Sequence, residues 1–245
     1  GCATVGATVL AARYARAYVD LNRAPLEIDR GLLGGGALAG RVIASAKVLA
    51  GLGIVPSRLG TLALYRQPPG PASLRARLEH AYLPYHRRLR ELLRERIARC
   101  GAALLIDCHS MPVEAAGTGR AAIDVAVGDR FGESCDRRLV ATAEDALAAH
   151  GLKVARNRPY AGGFITEHHG RPAEDRHAIQ LEIRRDLFME PETHRLTVGA
   201  ERIAEALIDV VRAIGPRLVT LGPARRPLPS STAELAVPEL LRAAD

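Results

Sequence analysis

The sequence predicts an α/β fold organised on a parallel sheet, and three features carry that prediction. The apolar run of residues 102–106 stops abruptly at Asp107-Cys108-His109-Ser110-Met111-Pro112, as a buried strand does where it leaves a parallel sheet. A long amphipathic helix precedes it over residues 73–99. There Leu74, Leu78, Tyr82, Tyr85, Leu89, Leu92, Leu93 and Ile97 recur at three- and four-residue steps opposite a face of arginines. Gly101 ends the helix and passes the chain directly into the strand, and helix-into-strand order is the signature of α/β architecture.

Taken in order, residues 7–12 and 17–21 read as two short strands joined by residues 13–16. The second runs into Asp20-Leu21-Asn22-Arg23-Ala24-Pro25, a polar strand end where an Asn/Pro turn or a binding site fits equally well. Residues 31–40 form a flexible glycine-rich connection without the spacing of a phosphate loop. Pro84 is expected to kink the long helix or divide it. Beyond Pro112, a small-residue loop at 115–120 leads to a strand at 123–127, a helix at 134–150 and a strand at 152–155. Residues 156–170 are too polar and glycine-rich for core, which predicts a binding loop or disorder. The last strong strand is 178–183, and a closing helix covers 191–214. The organisation expected is one catalytic domain over residues 1–214 followed by a proline- and alanine-rich tail, 215–245.

A chain of 245 residues buries a sizeable core without disulfides or a structural metal. It contains no run of 18 apolar residues, so nothing is expected to span a membrane. The first residues lack a charged segment and cleavage pattern, which makes a cytoplasmic location the default. The formal charge is +7, but only Lys47 and Lys153 are lysines. The many arginines are interleaved with acids, and aromatics are scarce. That pattern argues against nucleic acid and for a solvated surface with a local field favouring small anions. Cys2, Cys100, Cys108 and Cys135 show no paired spacing and read as buried free thiols.

Two positions stand out chemically. His109, at the end of the central strand, is placed to ligate a metal through one ring nitrogen while the other meets Asp107; the alternative is a strand cap. Cys108 points to the opposite face by alternation and reads as core. Glu182 lies in an apolar strand and shares a face with Gln180. A carboxylate there is a candidate for general acid/base work, unless it pairs with an arginine such as Arg184.

Taken together, Asp20-Leu21-Asn22-Arg23, Asp107-Cys108-His109-Ser110-Met111-Pro112, Gly128-Asp129-Arg130-Phe131-Gly132, Asn157-Arg158-Pro159-Tyr160-Ala161-Gly162-Gly163 and Gln180-Leu181-Glu182-Ile183 resemble the N-formylglutamate amidohydrolase family. The resemblance covers about residues 7–210 in five blocks. It implies a three-layer α/β/α domain with a central mixed, mostly parallel sheet, like that of the zinc exopeptidases. It also implies a zinc-dependent hydrolase that releases formate and L-glutamate from N-formyl-L-glutamate in histidine breakdown. On this sequence His109 would be a zinc ligand, Glu182 the general base, and Asn22 and Arg23 the pair that holds a substrate carboxylate. Arg158 and Tyr160 would serve a second carboxylate and the tetrahedral intermediate.

The chemistry suits these residue types: zinc takes neutral imidazole and carboxylate ligands with one position open to water, and a guanidinium matches a carboxylate through two parallel hydrogen bonds. The family places its first two zinc ligands in a His-Ser-Gly segment and a following acid, upstream of the block that begins here at Gly6-Ala7-Thr8. No histidine precedes His80, so an upstream segment bearing those ligands is expected to be missing from this chain. The competing expectations are a carboxypeptidase-like hydrolase of other N-acyl amino acids or short peptides, and a metal-free binder of acidic metabolites.

Overall fold

A computed structural model describes residues 1–33 and 42–221. The part of the glycine-rich connection past Leu33 and the tail from residue 222 lie outside the described residues. The chain divides into two compact units, whose described residues are 10–33 with 42–91, and 1–9 with 92–221.

Residues 7–12, where the chain passes from one unit to the other, and residues 17–21 of the first unit are not strands. Val9 is 66% exposed, and neither segment belongs to a strand ladder. An extended segment becomes a strand only when a neighbour takes its backbone groups, and Asp20 N–H instead donates to the Ile54 carbonyl at 2.7 Å. Leu32 and Leu33 are buried, so the glycine-rich connection is anchored where it begins. A short helix α1, Ala46–Leu49, is capped by Ser45. It leads to a hairpin of β1, Arg58–Leu59, and β2, Leu62–Ala63.

The predicted long helix begins as α2, Pro71–Arg77, passes through one π-helical turn, Leu78–Tyr82, and continues as α3, Leu83–Cys100. Pro84 divides it mildly. Lacking an N–H, and with a ring that crowds the preceding turn, the proline is absorbed by a widened turn in which Leu83 N–H reaches back to the Leu78 carbonyl. Leu74, Leu78, Tyr82, His86, Leu89 and Leu93 are the buried stripe.

The second unit holds a four-stranded sheet in the order β3-β6-β4-β5. Its strands are β3, Ala103–Met111; β4, Val125–Gly128; β5, Val154–Arg156; and β6, Arg176–Arg184. β3 pairs with β6 and β4 with β5 in parallel, while β4 and β6 are antiparallel. The sheet is therefore mixed and mostly parallel. Along β6 the side chains alternate. Ile179, Leu181 and Ile183 join Val125 and Val127 in the main core, against Leu139, Val140, Ala143 and Leu147 of α4 (Arg137–Ala149) and Ile203, Ala206, Val210 and Ile214 of α6 (Gly199–Leu221). A six-residue helix α5, Phe164–His169, packs against β6 and β3.

Three expectations change here. Residues 156–170 are not all loop, because Ile165, Thr166 and His169 are buried on α5. The closing helix starts later and runs through Pro216 to Leu221, held past the proline by Leu218 and Leu221 against the core. Of the four cysteines, all free, only Cys135 is buried. Cys108 lies on the face expected for it but is exposed, while Leu104 and Ile106 on the same face pack against the core.

Candidate active site

The sheet register builds the site. On the β3–β6 ladder Asp107 stands beside Gln180, and His109 beside Glu182. Parallel partners point to the same face, so four polar side chains form a square on the side away from the main core. On the other flank of β6, the partners of Glu182 and Gln180 are Ala126 and Gly128, both buried and too small to crowd the polar pair. Strand β3 extends to Met111, so His109 lies within its last turns of pleat instead of beyond its end.

Within the square, the His109 Nε2 hydrogen-bonds Asp107 Oδ2 at 2.8 Å. The expected Asp–His couple therefore exists, with Nε2 as the engaged nitrogen. Gln180 Nε2 donates to Glu182 Oε1 at 2.8 Å. Arg184 does not serve Glu182. It pairs with Asp124 at 3.1 Å and Asp186 at 2.8 Å.

The Asn157–Gly163 loop is pinned along its length. Asn157 N–H donates to the Val127 carbonyl, and its side chain closes a two-way bond with Asp129, accepting from the backbone N–H at 2.9 Å and donating to Oδ1 at 2.6 Å. Arg130 N–H donates to the Ala161 carbonyl at 2.8 Å. Gly163 N–H donates to Gln180 Oε1 at 2.8 Å. Where the loop crosses β4, a Cβ on Gly128 would lie 2.6 Å from Ala161 C and Gly162 N, so only glycine admits the approach. Between these pins Arg158 is exposed and Tyr160 half-buried.

The adjacent turn, Arg130 to Gly132, is left-handed at all three residues, with Phe131 78% exposed at φ 57. It is tied down by Asp129 Oδ1, which accepts from Gly132 N–H at 3.1 Å. Cys135 is no nucleophile here. Burial, with the carboxylates of Asp129 and Asp136 adding to it, pushes its thiol up and keeps it protonated.

Asn22 and Arg23 belong to the first unit. Arg23 is only 12% exposed at its side chain. Its Nε donates to the Leu52 carbonyl at 2.8 Å and its Nη1 to the Asn22 carbonyl at 2.9 Å. Asp20 braces the turn, accepting from Asn22 N–H at 2.9 Å and Arg16 Nε at 2.9 Å. Tyr82 donates to the Arg23 carbonyl at 2.8 Å. Burial first, and then Asp20 and Glu27, hold its hydroxyl well above the ordinary tyrosine range, so it stays a neutral donor. The guanidinium is thus held in place through Nε and Nη1, while Nη2 has no partner among the described residues.

The model of the N-formylglutamate amidohydrolase family matches residues 1–189. The chain belongs to that family. It is 35% identical over 224 residues to the N-formylglutamate deformylase of Pseudomonas aeruginosa, covering 89% of this chain and 77% of that protein. It is 31% identical over 221 residues to the deformylase of Pseudomonas putida, at 86% and 77% coverage. The fold superposes on the N-formylglutamate amidohydrolase of Ralstonia eutropha with a TM-score of 0.74 at 31% identity, over 84% of this chain and 74% of that one. A gene product of Agrobacterium tumefaciens shares the fold, with a TM-score of 0.55 at 19% identity over 84% and 68%.

The zinc implied by resemblance to the family needs three protein ligands and an open position. Among the described residues no group of three or more His, Cys, Asp or Glu side chains is arranged to hold a metal. Those residues by themselves do not complete such a site. No helix among them is long and apolar enough to cross a membrane. Two features of the site escape sequence reading. Gln180 spans from Glu182 to the loop, signalled only by the alternation Gln-Leu-Glu, and Gly128 admits the loop, signalled only by a glycine ending a strand.

Proposed function

We propose that the protein hydrolyses N-formyl-L-glutamate to formate and L-glutamate, with zinc as its metal, in cytoplasmic histidine breakdown. One observation carries the reading: a buried carboxylate, Glu182, stands in register with an imidazole, His109, on the polar face of the sheet. The names of the Pseudomonas relatives give the substrate.

In this reading Glu182 takes a proton from the water that attacks the formyl carbon and returns it to the leaving nitrogen as the C–N bond breaks. His109 contributes one metal ligand, with Asp107 fixing its ring. The other ligands are not among the described residues. Zinc, when bound, would polarise the formyl oxygen and acidify the attacking water. Arg23 holds a substrate carboxylate through its Nη2 edge, with Asn22 beside it, and Arg158 and Tyr160 serve the second carboxylate and the tetrahedral intermediate.

The test is turnover of N-formyl-L-glutamate with zinc supplied, followed as formate release. Glu182→Gln keeps the shape and removes the base, so kcat is expected to fall by about 10²–10⁴-fold. A variant that keeps most of its turnover would remove Glu182 from the role. Release of amino acids from dipeptides without formate from the formylated substrate would favour a peptidase.

A further inference from the structure

We infer that Gln180 is a positioning residue: its side-chain amide locks the Glu182 carboxylate to the loop that carries Arg158 and Tyr160. The inference rests on the proposed role of Glu182. Gln180 and Glu182 are 4% and 7% exposed, so neither draws on bulk water to satisfy its polar atoms. The Gln180 oxygen accepts from Gly163 N–H at 2.8 Å, and its nitrogen donates to Glu182 Oε1 at 2.8 Å. These partners leave the amide one orientation, because a peptide N–H only donates and a carboxylate only accepts.

A single rigid plane therefore runs from the Gly163 backbone to the carboxylate. Only a side chain with an acceptor at one corner and a donor at the other makes both bonds. Methionine, of similar length, makes neither. Glutamate keeps the acceptor for Gly163 but sets a second carboxyl against Glu182, and the pair then shares a proton, so Glu182 is no longer a free base. Two further pins make the connection stiff. Ala161 is held by Arg130 N–H and packs on Gly128, and α5 begins at Phe164, immediately after Gly163. A shift of the loop is thereby transmitted to the plane of the Glu182 carboxylate, and misplacing a reacting group by about 1 Å costs on the order of 10²-fold in rate.

The experiment measures hydrogen exchange of the Gly163 amide in the full chain, with kcat and KM for N-formyl-L-glutamate alongside. Glu182→Met removes the acceptor that anchors Gln180, so Gly163 exchange is expected to rise about tenfold. The same substitution in a Gln180→Met background is expected to add nothing. Gln180→Glu is expected to leave Gly163 exchange and KM within about twofold of wild type while lowering kcat about ten- to hundred-fold. Gln180→Met is expected to raise exchange and lower kcat, with no further loss of kcat when added to Glu182→Gln.

Equal effects of Glu182→Met in both backgrounds would overturn the coupling. So would a Gln180→Met protein with kcat within twofold of wild type, or one whose loss simply multiplies that of Glu182→Gln. Undiminished turnover in Glu182→Gln alone would remove the base and leave the exchange coupling to stand separately, so the two failures are told apart.

Discussion

Gly128→Ala is the sharpest test of how the loop is held. A Cβ built there lies 2.6 Å from Ala161 C, 2.6 Å from Gly162 N and 2.8 Å from Ala161 O. Ordinary contact between carbon atoms is about 3.5–4.0 Å, so the loop backbone must retreat by roughly 1 Å. No flexible side chain is available to give way, because all three obstacles are backbone atoms, and β4 is fixed by pairing on both edges. Overpacking of this kind costs roughly 1–3 kcal/mol. For a chain of this size the expected fall in Tm is about 2–12 °C, from 2–4 °C per kcal/mol.

The retreat also loosens the Arg130–Ala161 and Gly163–Gln180 bonds, so protease cleavage within residues 157–163 should quicken. Scanning calorimetry and timed proteolysis read the two effects. Gly70→Ala, where a Cβ meets nothing within 4 Å, is the control for the loop: as the N-cap of α2 it is expected to lose up to about 1 kcal/mol and to leave cleavage within residues 157–163 at the wild-type rate. A Gly128→Ala protein with the wild-type Tm and an equally resistant loop would show that the 157–163 segment does not rest on β4, and the pinned-loop description would fail.

Two further outcomes are expected. Arg23→Lys exchanges a planar fork for a point charge and cannot reach the Leu52 and Asn22 carbonyls together as the guanidinium does; kcat/KM for the formylated acidic substrate should drop at least about tenfold, and equal, slight effects on acidic and neutral N-formyl substrates would move the carboxylate clamp to Arg158. Residues 1–245, dialysed and analysed for metal, should retain well under one zinc per chain, and His109→Ala should abolish what remains, since a lone imidazole is far short of a three-ligand site; stoichiometric zinc would mean that side chains such as Glu167, His168 or His169 complete the site.

The sequence was most informative where local pattern and burial agree. The Leu74-to-Ile97 stripe predicted the helix, the apolar run before Asp107 predicted β3, and Gln180-Leu181-Glu182 predicted a strand with its two polar side chains on one face; each follows from a repeat of 3.6 or 2 residues that needs no knowledge of neighbours. The family was likewise legible, since five short blocks in order are a property of sequence alone. What tertiary structure decided is everything that depends on a partner from elsewhere in the chain. Residues 7–12 and 17–21 have strand-like composition but no ladder to join. Cys108 sits on the expected face yet is exposed, where Leu104 and Ile106 before it on that face find the core. Helix α6 passes Pro216 because Leu218 and Leu221 find the core. The pairing of His109 with Glu182, the span of Gln180 to Gly163 and the seat of Ala161 on Gly128 all join segments distant in sequence. Their register is fixed by which strands lie side by side, and a local pattern carries no record of that.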